Sequence, residues 1–266
     1  MPDVYTHGHT ASVLRSHTWR TAENSAGYLL PSLQPGVDLL DVGCGPGTIT
    51  LDLAQRVAPG GVLGIDASPE VIERAEAARI AARAANVRFA VGDVYALELD
   101  DASYDVVHAH QVLQHLSNPI AALGELRRVL RPDGLLAVRD SDYDSFTWAP
   151  ANPLLDRWNE LYHQVTARND ADANAGRHLL GWVRAAGLRD VTVTSSSWTF
   201  ADAEGRAWWG GLWADRCADS GFAHQAVDYG FADVAELAAI ADAWRAWADE
   251  PDGFFMVPHV EVLARP

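Results

Sequence analysis

The sequence predicts an α/β protein built on a doubly wound, mostly parallel sheet, and three observations carry that expectation. Short apolar runs alternate with helix-spaced segments from about residue 38 to residue 140. The first run ends in a glycine-rich turn, Asp41-Val42-Gly43-Cys44-Gly45-Pro46-Gly47, directly before an amphipathic stretch. The second ends in a lone carboxylate, Asp66. Alternating strands and crossover helices are the pattern of a parallel sheet covered on both faces.

The elements follow in order. Residues 37–42 read as a buried strand. Residues 48–57 have helical spacing, with Ile49, Leu51, Leu53, Ala54 and Val57 apolar, and Pro59-Gly60-Gly61 stops them. Residues 62–66 are the second strand. Ser68 suits an N-cap, Pro69 the first turn and Glu70 the positive end of a helix running to about residue 85. Residues 87–91 and 104–109 are the third and fourth strands. Residues 119–130 are an amphipathic helix, and Arg131-Pro132-Asp133-Gly134 reads as a stop and turn before a fifth strand at 135–139. Residues 179–186 are a further crossover helix. Val191 starts a sixth strand, and residues 254–257 and 259–264 form a seventh, kinked at Pro258. Three segments fall outside the alternation: 1–34, expected as an N-terminal helical lid; 141–173; and 201–250, expected as two helices. They are too short and dispersed for an independent domain, so one domain over 1–266 is expected, with 35–140 as its ligand-binding core.

Composition narrows the function. The chain has 266 residues and a formal net charge of −16, and its 20 basic residues are all arginine. So acidic a surface repels phosphate backbones, and no basic run compensates, so no nucleic-acid partner is expected. Arg127, Arg128 and Arg131 read as a solvated helix face. Missing lysine with abundant alanine and arginine points to a GC-rich bacterial genome. Two cysteines, Cys44 and Cys217, are too few for a disulfide framework. No apolar run is long enough to span a bilayer, and residues 1–20 lack the apolar stretch of a signal peptide, so a cytoplasmic protein is expected, as monomer or homodimer.

The chemistry concentrates at three strand ends. Glycines let backbone approach a ligand, and the helix after Gly47 points free amides at negative charge. Asp66, nineteen positions after Gly47, suits a bidentate contact to ribose hydroxyls. Gly92-Asp93-Val94 follows the third strand, where an acid and an adjacent amide can read an adenine edge. The bland alternatives are a tight turn, a helix-start charge and a simple turn.

Leu39-Leu40-Asp41-Val42-Gly43-Cys44-Gly45-Pro46-Gly47, with Asp66, Gly92-Asp93 and Tyr104-Asp105-Val106-Val107, resembles the class I S-adenosylmethionine methyltransferases. Residues 110–119 and 130–135 resemble the branch containing the ubiquinone and menaquinone C-methyltransferases. The resemblance covers about residues 37–140. It implies a Rossmann-like seven-stranded sheet with helical cap insertions, S-adenosylmethionine as cofactor with S-adenosylhomocysteine as product, and methyl transfer to a small acceptor. It also implies roles. Gly43, Cys44, Gly45 and Gly47 cradle the methionine end, and Asp41 braces the loop by accepting backbone or ammonium hydrogens. Asp66 holds the ribose beside Ala67, Asp93 and Val94 contact the adenine, and His110 and Gln111 face the amino-acid portion or the sulfonium. Thr48 is placed to bond the cofactor carboxylate, and Arg20 in the N-terminal segment to pair with it.

The flanks must supply the acceptor site. His115, after the fourth strand, is the first candidate for a catalytic base, against loop bracing or substrate contact. Asp140, Asp142 and Asp144 follow the fifth strand: Asp140 is a second catalytic candidate or a strand cap, the others solvated or a cation site. No convincing metal set is present, and His7, His9 and His17 do not make one by spacing. Tyr143, Trp209 and Trp213 are expected to line an apolar or aromatic acceptor pocket, within a cluster that includes Trp198, Phe200, Trp208 and Phe222; the alternative is that these rings glue the cap to the sheet. Trp244 and Trp247 read as packing. Two rivals remain. A nicotinamide-dependent oxidoreductase is opposed by the Gly-x-Gly-x-Gly spacing and by the absence of lysine. An S-adenosylmethionine-binding protein without turnover would keep the same turn and acids.

Overall fold

The computed structural model describes residues 3–8 and 11–266, and for residues 11–14 the backbone alone. His9 lies outside the described residues. Five parallel strands form the body of the sheet: β1 (Leu39–Val42), β2 (Val62–Asp66), β3 (Val87–Val91), β4 (Tyr104–His110) and β5 (Leu130–Ser141). Three more complete it: β6 (Thr147–Ala149), β7 (Arg189–Phe200) and β8 (Phe254–Arg265). The order is β3-β2-β1-β4-β5-β8, with β8 antiparallel to β5 and β7 antiparallel on its far edge. The switch of direction of travel falls between β1 and β4, where open α/β sheets bind ligands.

Local sequence explains the central elements. All four residues of β1 are buried, as an interior parallel strand requires. Helix α3 (Thr48–Val57) starts after Gly47, which sits in the left-handed region at φ 84°. Among the ten α-helices of the described residues, α4 (Pro69–Ala82) begins as expected: the Ser68 hydroxyl accepts from the Val71 amide at 3.4 Å and Pro69 fills the first turn. Before these lie α1 (Ala11–Thr18) and α2 (Ala22–Ser25); after them come α5 (Pro119–Val129), α6 (Pro153–Arg168), α7 (Ala175–Ala185), α8 (Ala203–Ala218), α9 (Gly221–Asp228) and α10 (Val234–Asp249).

The structure corrects four expectations. The sheet has an eighth strand: β6 comes from the 141–173 insertion and pairs with the start of β8, because Trp148 stacks on its register partner Phe255 at 5.7 Å. Strand β8 runs unbroken through Pro258, which is tolerated opposite Ser197. Residues 131–134 do not close off a helix but bulge from β5, where the register jumps from Tyr104↔Leu130 to Val106↔Leu135. Arg131 therefore leaves the helix face and pairs with Asp105 and Asp38, while Arg128 is bound by Glu125 and Asp101. Finally, residues 201–250 form three helices rather than two. Ser220 accepts from the Ala223 amide to start α9, and Gly230 at φ 74° follows its end.

Two aliphatic cores cover the faces of the sheet, one around Leu40, Val107, Leu123 and Leu136, the other around Leu39, Leu53, Val106 and Ala137. Neighbouring strand residues divide between them as the pleat demands. A third core is aromatic and lies beyond the strand ends, between α6, α8, α10 and β8; Trp158, Trp213, Trp244 and Phe255 are its buried centre, and Trp247 packs there as expected. Among the described residues no helix is long and apolar enough to cross a membrane.

Candidate functional site

The C-terminal ends of β1, β2, β3 and β4 open into a cavity of about 900 Å³ that continues under the aromatic core. The glycine-rich turn forms its floor, with Gly43, Gly45 and Gly47 at φ 66°, 55° and 84°. The three do different work. A Cβ on Gly43 would strike Val112 at 2.3 Å, and one on Gly47 would strike Phe89 at 2.6 Å. Gly45 alone faces open space, its nearest neighbour being His17 Nδ1 at 3.8 Å. Gly47 is buried and does not line the cavity, so its expected part in the cradle is corrected to close packing of α3 on β3.

Asp66 ties the turn to β2. One oxygen accepts from the Gly45 amide at 3.1 Å and the other from the Ser68 amide at 3.0 Å. Asp41 braces the turn differently from expectation. It accepts from the Thr50 hydroxyl at 2.5 Å, and its other oxygen meets His108 Nδ1 at 2.7 Å; both partners are side chains. Burial pushes the Cys44 thiol well up, so it is an apolar wall rather than a nucleophile. At the tip of β3, Asp93 accepts from the Tyr95 amide at 2.9 Å, leaving its second oxygen open, and Val94 and Ala67 stand beside it on the cavity wall.

His110 ends β4 and Gln111 follows it. Neither ring nitrogen of buried His110 has a partner, and burial holds its pKa well below the usual imidazole range, with Arg139 and Arg20 adding to it. Gln111 stands at φ 53° and receives Arg20 on its Oε1 at 2.5 Å, while its Nε2 meets His259 at 2.7 Å. The Nε of Arg20 is left without a partner, and burial lowers the pKa of its guanidinium to about 10. Thr48 lines the cavity but donates to the His17 carbonyl at 3.2 Å, so its hydroxyl serves the N-terminal segment. That segment also lines the cavity, through Asp3, Tyr5, His7, His17 and Arg20. Asp3 accepts from the Tyr95 hydroxyl at 2.7 Å and from the Ser117 amide at 3.2 Å, and His7 meets the Tyr162 hydroxyl at 2.9 Å.

The far wall carries Tyr143, Phe146, Trp198, Trp208, Trp209 and Trp213. Tyr143 stacks on Tyr162 at 3.9 Å, and burial pushes its phenol up to about 12. Phe200 stacks on Trp209 at 4.5 Å and Phe222 is wholly buried, so both support the wall from behind. His115 reaches the cavity; burial, then the charge of Arg20, lowers its pKa to about 3. The Ser141 hydroxyl donates to Gln114 Oε1 at 2.7 Å, which leaves the Gln114 amide nitrogen to donate to His115 Nε2 at 3.0 Å.

Of the three acids at and beyond the end of β5, Asp144 is exposed as expected, and Asp140 and Asp142 are placed otherwise. Asp140 does not line the cavity; it is fully buried, accepts from the Gln114 amide at 3.2 Å, and burial pushes its carboxyl up to about 8. It braces the loop that presents His115 and touches no ligand space. Asp142 is not solvated but buried, with two oxygens on Arg177 at 2.5 Å each. Asp144 meets His163 at 3.0 Å and Arg177 at 3.1 Å. Among the described residues no group of acids, histidines and cysteines is arranged to hold a metal ion. Sequence reasoning missed Tyr5, Gln114, Phe146 and Arg216, all on the cavity wall. The signal for Arg216 was present: Trp209, Trp213 and Arg216 fall at helical positions i, i+4 and i+7 on one face of α8.

Residues 33–188 match the family described as a methyltransferase domain. An uncharacterized methyltransferase of Schizosaccharomyces pombe is 31% identical, with 97% of this chain and 95% of that protein covered. The chain belongs to the methyltransferase family. It is an S-adenosylmethionine-dependent methyltransferase. Among its relatives is the 2-methyl-6-phytyl-1,4-hydroquinone methyltransferase of Synechocystis, 32% identical over 64% of this methyltransferase and 52% of that protein. The fold is shared with the YcgJ protein of Bacillus subtilis, at a TM-score of 0.59 and 20% identity, covering 90% of this chain and 96% of that one. These relatives divide between a fungus and bacteria, so kinship leaves the expected bacterial origin open.

The cavity suits the methyl donor on observations of its own. The open face of Gly45 admits a ligand against the backbone, and the buried nitrogens of His110 and Arg20 lack partners that a polar ligand supplies.

Proposed function

We propose that this methyltransferase transfers a methyl group to a small, apolar or aromatic acceptor held between the strand tips and the aromatic wall. One observation carries the reading: the turn, Asp66, Asp93, Tyr143, Trp209 and Trp213 all border one continuous cavity. In this reading the two halves divide the work. Asp66, already fixed by two amides, keeps lone pairs for the ribose hydroxyls. Asp93 and Val94 take the adenine edge with Ala67 packed beside it. Gly43, Cys44 and Gly45 receive the methionine end, and Arg20, oriented by Gln111, meets its carboxylate, with His110 alongside. Residues 1–34 act as the lid.

When bound, S-adenosylmethionine supplies a methyl group on a sulfonium, whose departure leaves a neutral sulfide. The chain's own task is therefore alignment and water exclusion. Rings on the far wall exclude water and hold a planar or apolar body. His115 serves as a donor rather than a base: its Nε2 is occupied by Gln114, and its low pKa makes it a poor proton acceptor at neutral pH. Its buried Nδ1 has no protein partner and is free to donate to the acceptor.

The reading is tested by release of labelled S-adenosylmethionine methyl groups onto a panel of phenols, quinols, amines and carboxylic acids. Transfer to apolar or aromatic members is expected. Retention of S-adenosylhomocysteine without transfer to any member would favour a binding protein, and retention of NAD instead would overturn the reading.

A further inference from the structure

Among the described residues, no acid pairs with one cation on the acceptor side of the cavity. Arg216 lines the cavity from α8 and is 4% exposed. Its guanidinium lies over the Trp213 ring at 4.9 Å, and one terminal nitrogen donates to the Ser16 hydroxyl at 2.6 Å. Its Nε has no partner. The neighbouring acid, Asp215, pairs instead with Arg15. The groups that act most on the Arg216 charge are Tyr143, Tyr5, Tyr162 and Cys217, and none is a carboxylate. The residues outside the described set, 1, 2, 9 and 10, include no acid, nor do residues 11–14.

A buried charge without a counter-charge is strongly unfavourable, so such groups are paired in the protein or by what the protein binds. Arg139 shows the first solution: it is 1% exposed and meets Glu261 at 3.3 Å and Ser196 at 3.0 Å. Arg216 lacks that solution, although it is nearly as buried. Its surroundings are those of a site for one negative charge. The Tyr5 and Tyr143 phenols stay neutral, since burial pushes both up to about 12. His7 binds Tyr162 through Nε2 and leaves its buried Nδ1 without a partner. The ring of His7 lies 6.0 Å from that of Trp213, the same ring that Arg216 covers.

We propose that the acceptor is a carboxylate on an apolar or aromatic body, and that Arg216 is the residue that recognises the carboxylate. The inference rests on the reading above that the donor lies on the strand tips and the acceptor under the rings. It assigns the two cavity arginines to different ligands: Arg20, bonded to Gln111 beside the glycine turn, to the donor, and Arg216, over Trp213, to the acceptor.

Calorimetric titration with a matched pair of probes tests it. Cinnamate and cinnamamide share one body and differ in charge, and each is titrated into protein saturated with S-adenosylhomocysteine. Wild type is expected to bind cinnamate at least about tenfold more tightly than cinnamamide. Arg216→Gln is expected to erase the preference while S-adenosylhomocysteine affinity stays within about twofold, and Arg216→Lys, which keeps the charge, to retain part of it. Equal binding of the two probes by wild type, binding of neither, or a preference that survives in Arg216→Gln overturns the assignment. So does a large loss of S-adenosylhomocysteine affinity in a folded Arg216→Gln, which would give Arg216 to the donor. The wild-type comparison stands even if Arg216→Gln does not fold. Failure of wild type to bind S-adenosylhomocysteine at all overturns the underlying reading of the cavity, whereas normal binding with no cinnamate preference removes the Arg216 subsite alone.

Discussion

Beneath the strand tips the cavity is supported by aliphatic packing, and on its far side by rings. The two cores that hold β1, β2 and β4 bury leucine, valine, isoleucine and alanine, with no aromatic residue among their fully enclosed members. The third core buries Trp158, Trp209, Trp213, Trp244, Trp247, Phe255 and further rings against one another. The first half is held by regular strand register and backbone turns, which fix a ligand's position through short contacts. The second is held by edge-to-face and stacked rings from segments far apart in the chain, which shape a wall while giving few polar contacts. The proposed reading gives donor geometry to the sheet and acceptor choice to the rings, and it can be broken at either side.

The largest expected effect is on the ring side. Trp158 touches Trp213 at 4.5 Å, Trp244 at 5.0 Å and Phe255 at 6.2 Å, all edge to face. Trp158→Ala is expected to cost about 3–5 kcal/mol of stability, read by denaturant unfolding. A loss below about 1 kcal/mol would mean that the rings are not the support of the wall. On the sheet side, Asp66→Ala is expected to weaken S-adenosylhomocysteine binding by about 1–3 kcal/mol, measured by calorimetry. Unchanged affinity would remove Asp66 from the donor site.

How much of this was legible in the sequence follows from the same division. The turn at residues 41–47, Asp66 and Asp93 could be placed because each lies at or just past the end of a parallel strand, and strand ends fix positions locally. The bounds of α3 and the cap of α4 were readable for the same reason: Gly47, Ser68 and Pro69 act within one turn. The roles of Gly47 and Asp140 were not, since they depend on what packs above them: Phe89 from β3 in one case, the Gln114 amide in the other. Strand β6 was hidden because Thr147-Trp148-Ala149 becomes a strand by pairing with Phe254, Phe255 and Met256, more than a hundred positions away in the chain. Arg216 was overlooked because a charge among tryptophans reads as a surface position until the folded helix shows it buried.

At the seam between the halves, Asp140 provides a pH signature. Its folded pKa is raised to about 8 by burial, so the unfolded chain gives up this proton first as pH rises. Its stabilising contribution is whole below the ordinary carboxylate pKa and is lost as pH rises through about 8. Wild type is therefore expected to lose about 1 kcal/mol per pH unit relative to Asp140→Asn between about pH 6 and 8, followed by thermal unfolding. Parallel profiles for the two proteins would contradict the buried, protonated form. The smallest effect is expected at His115. His115→Ala should lower turnover about tenfold with S-adenosylhomocysteine affinity unchanged. With its pKa near 3, His115 should give no acid limb in kcat/KM between about pH 5 and 8. An inflection in that range that disappears in the variant would restore it as a base.

The division of the cavity is most directly tested by a crystal structure of the complex with S-adenosylhomocysteine. The account predicts ribose hydroxyls on Asp66, the adenine edge at Asp93 and Val94, and the sulfur directed toward the chamber bounded by Tyr143 and Trp213. Adenosine lodged among the tryptophans, or a sulfur directed to solvent, would contradict it.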